Sequence, residues 1–382
     1  MSTALLILGI LCVLAACHPF ITYPWSLIVL QVLHPVRRCM GEGSNVPLNC
    51  AICVCAYNEE HAIARKVENL LALCAREPGL EILIYVDGAT DRTADILREY
   101  GSQICLHVET RRLGKTYGMN RLAAKAQSPI LIFTDANVLM DMDCVRNFRR
   151  YFTDPKIGCV CGSLVYTNGR ASATAASGSA YWRFEETIKK LEMESGSTIG
   201  ADGSVFAIRR SLHQPPPDHI IDDLYVSLKI MCCGFRVIQA SDALAYEESV
   251  VSGREEFGRK IRIACQAFNV HRLLWPQLRR LDGITLYKYV SHKLIRWFTI
   301  YLLAVAILAF EGALIVAGHA LFAAALALCI AAALYLGCVS TIRPFAQFAG
   351  TIAAFAGTGL GVWRSLRGDR YQTWSPAASI RR

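Results

Sequence analysis

Charged residues are scarce in this sequence. Asp, Glu, Lys and Arg make up 19% of its 382 residues, against about 25% in an ordinary soluble domain. Together with 53% hydrophobic residues and a mean hydropathy of +0.32, this excludes a disordered, collagen-like or small disulfide-stapled chain, and a fully soluble enzyme as well. The scarcity is local. No Lys, Arg, Asp or Glu occurs from Met1 to Val36, and Glu311 is the only one between Arg296 and Arg343. Most of the charge lies between Arg37 and Arg296, a length that suits one large domain. The pattern predicts a water-soluble body bracketed by membrane segments.

Other absences narrow the function. Cys50-x-x-Cys53 has zinc-type spacing, but no second Cys or His pair follows at finger distance. The cysteines therefore read as small hydrophobes in a reducing compartment. No zinc knuckle, basic-aromatic stripe or helix-turn-helix pattern accompanies the net charge of +9, so nucleic acid is not an expected partner. The excess of Lys and Arg follows the positive-inside rule and suits an anionic substrate. H-E-x-x-H and G-x-S-x-G are missing. Gly114-Lys115-Thr116 lacks the Gly that a P-loop needs five positions earlier, where Glu109 stands, and Gly196, Gly200 and Gly203 do not form a dinucleotide fingerprint. The first 36 residues are not a secretory signal, because Arg37-Arg38 follows the apolar run instead of preceding it.

What is present is an alternation of short β-rich runs and amphipathic stretches. Strands are expected at Ala51–Ala56, Ile82–Val86, Ile104–Val108 and Ile130–Phe133, with helices over Glu60–Ala75, from Thr90 or Asp91 to Tyr100, and over Lys115–Ala126. Continuous apolar strands between helices imply a parallel sheet covered on both faces, which binds ligands at the carboxyl ends of its strands. Three polar clusters sit at those ends: Tyr57-Asn58-Glu59-Glu60, Asp87-Gly88-Ala89-Thr90-Asp91 and Asp135-Ala136-Asn137. One Asp after a strand is more often a helix cap than a ligand; three clusters would converge on one crevice. In Asp135-x-Asn137 two oxygen ligands could share a hard cation, and Mg²⁺ or Mn²⁺ prefers such oxygens plus phosphates.

These residues resemble the family 2 glycosyltransferases of GT-A fold, in particular the membrane-embedded group of cellulose, hyaluronan and poly-N-acetylglucosamine synthases. The motifs run in order: Ala56-Tyr57-Asn58-Glu59-Glu60, Asp87 to Asp91, Gly114-Lys115…Asn120, Thr134-Asp135-Ala136-Asn137, Gly200-Ala201-Asp202-Gly203, Ile221-Asp222-Asp223 and Arg259-Lys260-Ile261-Arg262. The resemblance implies an α/β GT-A (nucleotide-diphospho-sugar transferase, Rossmann-like) domain with flanking transmembrane helices. It implies a donor site at Tyr57, Glu59, Asp87, Lys115, Asp135, Arg259 and Arg262, with Mg²⁺ or Mn²⁺ on Asp135 and Asn137. Gly200, Ala201, Asp202 and Gly203 would form the acceptor-side wall. Asp223, with Asp222 beside it, would be the general base that takes the proton of a sugar hydroxyl. Two departures matter. Asn137 replaces the second carboxylate of the metal motif and removes one negative charge. Arg259 to Ile263 replaces a Gln-x-x-Arg-Trp motif, and Ile263 lacks the stacking face of an indole. That favours transfer of one or a few sugars over processive polymerisation.

The expected divisions are a transmembrane segment at 1–36, a cytoplasmic catalytic domain at 45–270, an interfacial region at 275–297, transmembrane segments at 298–363 and a basic tail at 364–382. His18-Pro19 and Tyr23-Pro24 should kink or divide the first segment. Four full crossings would leave the arginines after Trp363 on the wrong side for the positive-inside rule, so either the last segment is re-entrant or the first is a hairpin. Glu311 within an apolar segment marks a functional or paired position. The function expected is an inverting glycosyltransferase of the inner membrane. It would move sugar from a nucleotide-sugar donor, UDP-linked in this reading, to a lipid-linked or polysaccharide acceptor, with membrane lipids as its surroundings. The alternatives are a processive synthase of the same family and a transporter or scaffold with a nucleotide-binding domain.

Overall fold

The computed structural model describes residues 1–35, 48–167, 173–248, 252–339 and 343–374. Arg37, Arg38, the expected linker Cys39–Pro47 and residues 375–382 of the expected tail lie outside the described residues.

Eight strands form one sheet: β1 (Cys50–Ala56), β2 (Leu80–Asp87), β3 (Cys105–Glu109), β4 (Ile130–Asp135), β5 (Leu139–Met140), β6 (Ile157–Tyr166), β7 (Val205–Arg209) and β8 (Arg236–Glu247), in the order β3-β2-β1-β4-β7-β6-β8-β5. The first four are mutually parallel, as their continuous apolar runs imply. The other half is mixed: β7 runs antiparallel to both β4 and β6, and β5 runs antiparallel to β8. The expectation of a wholly parallel sheet therefore holds for one half only.

Every residue of β1 is buried, and its pleat divides them between two cores. Ala51, Cys53 and Cys55 pack with Met119, Leu122 and Leu224 on one face; Cys50, Ile52, Val54 and Ala56 pack with Val67, Leu70 and Phe148 on the other. Cys50 and Cys53 thus face opposite ways and cannot share a metal, and both are free thiols. Pairing in register sets Cys55 beside Asp135 and Ala56 beside Val86, so Tyr57, Asp87 and Asp135 leave the sheet along one edge.

Among the described residues two helices are long and apolar enough to cross a membrane, Gly283–Val316 and Ala320–Gly337. The helices Ser2–Cys17 and Thr22–Leu33 pass the same test only as a pair, bent by 61° at the His18-Pro19 break. An interfacial stretch and a span are expected to meet near residue 297, and the backbone is helical on both sides of that point. A π-helical turn at Val290–Leu294 carries one continuous helix through it. That turn anchors the apolar helices to the catalytic body. His292 lies 2.7 Å from Glu185 and 2.7 Å from Glu192, both on the helix Ala173–Glu194, and the Tyr23 hydroxyl donates to Glu192. The helix Arg343–Leu366 packs against the helix Gly253–Leu278, where Gly361 brings the backbones together: a Cβ there would lie 2.6 Å from the Ile261 carbonyl oxygen.

Candidate active site

The site is assembled around Lys115. Asp87, fully buried at the end of β2, accepts hydrogen bonds from the Leu113 and Gly114 amides at 2.7 and 3.0 Å. Gly114 has φ +98°, and a Cβ there would overlap the Gln372 carbonyl, so only glycine fits. The pinned loop hands the chain directly to the helix Lys115–Lys125, and Lys115 then reaches Asp135 at 2.7 Å. Burial opposes the lysine's charge, but Asp135, Asp222 and Asp223 outweigh it and hold the ammonium group above its ordinary range. One cation thus ties together three carboxylates from two separate motifs.

Asp223 is the second residue of the helix Asp222–Cys232 and is buried. Burial first, and then the charge of Asp222, push its carboxyl up to about 7, while Lys115 pulls it down. Gly203 leaves the space in front of it. A Cβ at that position would stand 3.0 Å from Asp223 Oδ2 and 3.1 Å from Lys115 Nζ. The wall before Gly203 is held by Ser227, whose hydroxyl accepts from the Ala201 amide at 2.9 Å and donates to the Asp223 carbonyl at 2.7 Å. At Gly200, φ is +83° and a Cβ would press on Leu224 at 2.7 Å.

The remaining residues expected in the site fall into two groups. Arg262 feels the charges of both Asp135 and Asp223 and donates to Gln266 at 3.1 Å. Tyr57 carries the Arg112 guanidinium 3.5 Å above its ring, and Arg112 Nε lies 4.0 Å from Asp87. Others are engaged within the protein. The Asp202 carboxylate pairs with Lys189 at 2.8 Å, Arg259 pairs with Glu256 at 2.8 Å, and the Glu59 amide donates to Thr93 at 2.8 Å. Asn137 donates to Glu247 at 2.9 Å.

Several site neighbours escape sequence reasoning. Glu247 ends β8 and is pushed up to about 7, by burial first and then by Asp135. Lys66 lies fully buried beneath the Asp135–Val138 turn, donates to Thr134 at 3.2 Å and is lowered to about 7 by burial. Residues 369–374, part of the expected basic tail, cross from the helix Gly253–Leu278 to the loop that Asp87 pins. Gln266 donates to the Tyr371 carbonyl at 2.8 Å, Gln372 donates to the Leu113 carbonyl at 2.9 Å, and Arg112 donates to the Trp374 carbonyl. The one available signal was the pair of aromatics, Tyr371 and Trp374, in a basic tail.

This sheet, half parallel and half mixed, with acidic strand ends facing one helix start, defines a GT-A glycosyltransferase fold. Residues 51–214 match the model of Glycosyl transferase family 2, and the chain carries a glycosyltransferase domain of that family. The mannosyltransferase PcManGT of Pyrobaculum calidifontis, solved with GDP-Man and Mn²⁺, superposes with a TM-score of 0.73 at 21% identity, covering 96% of this chain and 99% of that one. The O-antigen chain rhamnosyltransferase RfbN of Salmonella typhimurium is 26% identical over 191 residues, 46% of this chain and 60% of that protein. The poly-beta-1,6-N-acetyl-D-glucosamine synthase of Staphylococcus epidermidis is 24% identical over 216 residues, 54% of this chain and 50% of that protein. The chain therefore spans 60% and 50% of the length of these two curated relatives.

Proposed function

We propose that this protein is an inverting glycosyltransferase that moves a sugar from a nucleoside diphosphate donor to an acceptor hydroxyl, with Asp223 as general base. The observation that carries this reading is the carboxyl of Asp223, buried, raised to about 7, and opening onto the space that Gly203 leaves beside Lys115. A base is most effective when its pKa lies near the working pH. Asp223 takes the acceptor proton as the acceptor oxygen bonds to the anomeric carbon. The bond from that carbon to the diphosphate breaks in the same step, and the configuration inverts. Lys115 and Arg262 stand on the side where the diphosphate charge develops, and Arg112 on Tyr57 offers a cationic and aromatic surface at the nucleoside end.

The donor set fits a divalent cation. Asp135 and Asn137 carry hard oxygens at the exit of β4, the donor type that Mg²⁺ or Mn²⁺ prefers. A bound Mg²⁺ or Mn²⁺ would offset charge on the departing diphosphate. PcManGT binds GDP-Man with Mn²⁺, which sets a guanosine donor beside the uridine donor expected from the motifs. The apolar helices keyed to the body through His292 support a lipid-linked or glycan acceptor at a membrane face. Ile263, in the place of a stacking Trp, supports single transfer over polymerisation.

The test is a donor panel scored by nucleoside diphosphate release, with Mg²⁺, Mn²⁺ or chelator, followed by NMR of the product anomer. Release that needs the cation, with an inverted product, is expected. Retention of configuration, or no release from any donor across a broad acceptor panel, contradicts the reading; the second outcome would favour a module that only binds nucleotide.

A further inference from the structure

We infer that Glu247 is a further ligand of the divalent cation and supplies the negative charge that Asn137 lacks. The inference rests on the cation site proposed above. The register of the sheet makes the meeting possible. Leu139 of β5 pairs with Tyr246 of β8, so the next residue, Glu247, stands beside the turn that carries Asn137. The contact is direct, with Asn137 Nδ2 2.9 Å from Glu247 Oε1.

Charge makes the meeting meaningful. The cations nearest this turn are each engaged with another partner, Lys66 with Thr134 and Arg262 with Gln266. Lys115 is paired with Asp135, Lys189 with Asp202, and Arg259 with Glu256. Arg259 acts on Glu247 electrostatically, but among the described residues no ion pair reaches it. A carboxylate enclosed among other carboxylates is unfavourable unless a cation joins them. The sequence motif Asp135-x-Asn137 has one carboxylate where two would bind a hard cation better. The structure returns the second from a strand end more than a hundred residues away. Asp135, Asn137 and Glu247 together then offer two carboxylates and one amide oxygen, leaving room for diphosphate oxygens in a six-oxygen shell.

A rival role for Glu247 is to orient the Asn137 amide, and one substitution separates the two. Glu247→Gln keeps a hydrogen-bond acceptor for Asn137 but removes the charge. Mn²⁺ is titrated into the detergent-purified full chain and followed by electron paramagnetic resonance, alone and again with excess GDP or UDP. Glu247→Gln should weaken Mn²⁺ about 10-fold or more, a loss of the size seen when supporting groups of metal sites are removed. Asn137→Asp should tighten it, and the double variant Asn137→Asp/Glu247→Gln should return close to the parent. Should Glu247→Gln alone fail to fold, the double variant compared with Asn137→Asp reads the same charge. Unchanged Mn²⁺ affinity in Glu247→Gln, with Asp135→Asn abolishing binding, overturns the role of Glu247 and leaves the proposed cation site standing. Absence of Mn²⁺ binding to the parent chain, or indifference to Asp135→Asn, removes both.

Discussion

Lys115 donates to Asp135 across 2.7 Å from the first residue of its helix, and its charge also acts on Asp222 and Asp223. The donor side and the base side of the site therefore share one cation. Lys115→Met should lower donor affinity and also move the base, because the lysine holds the Asp223 carboxyl down. The acidic limb of kcat/KM against pH should shift upward in this variant. A limb in the parent position would separate Lys115 from the base.

The raised carboxyl of Asp223 sets both activity and stability against pH. With Asp223 at about 7 in the folded protein and 3.8 as its ordinary value, kcat/KM should climb roughly tenfold per unit below pH 7 and level off above it. The linkage for folding has the opposite sense. The folded state holds a proton that the unfolded chain releases, so this group's contribution to stability falls between about pH 4 and pH 7 and stays low above. In metal-free protein at pH 8, Asp223→Asn should therefore melt higher than the parent, by about 2–4 °C. At pH 4 the two should melt together.

Gly203→Ala places a methyl group 3.0 Å from Asp223 Oδ2 and 3.1 Å from Lys115 Nζ. Both neighbours are side-chain ends that can give way, so the melting temperature should change little. The space for the acceptor hydroxyl should shrink, and kcat should fall about 10-fold or more, since small misplacements of reacting groups are costly. Steady-state kinetics beside a thermal melt checks both halves.

Gly361→Leu tests how the helix Arg343–Leu366 is held. A side chain there meets Ala264 at 2.6 Å and the Ile261 carbonyl at 2.6 Å, neither of which is a flexible end. The substitution should destabilise by about 1–3 kcal/mol through overpacking. Through Gln266, which holds Tyr371, it should also loosen residues 369–374. Increased proteolysis near Gln372 in the variant would report this loosening.

The parallel half of the fold was legible because its signals are local. β1 to β4 are short apolar runs, and each polar cluster follows its own strand within a few residues. Asp135 could be named from its strand end, and Lys115, Asp222 and Asp223 from the resemblance of their motifs; the structure brings the four charges together. Most of the other half was not legible. β8 carries Gln239, Ser241 and Asp242 among apolar residues, and nothing in those twelve residues announces a pairing with β5. Glu247, Lys189 and Trp374 reach the site through tertiary packing alone, from a strand end, a helix face and a tail. The polar contacts of Asp202 and Arg259 likewise depend on Lys189 and Glu256, whose nearness to them follows from packing and from one helical turn respectively. Spacing showed which residues could do chemistry, and packing decided which of them are already engaged.

The central claim is that Asp223 removes the acceptor proton. Its most direct test is Asp223→Asn, measured for transfer rate and, separately, for donor affinity by calorimetry. The substitution keeps the size of the side chain and removes its basicity. Transfer should fall by about 10²-fold or more, the range of a general base, while donor affinity stays within a few-fold of the parent. Transfer at the parental rate in this variant would contradict the account.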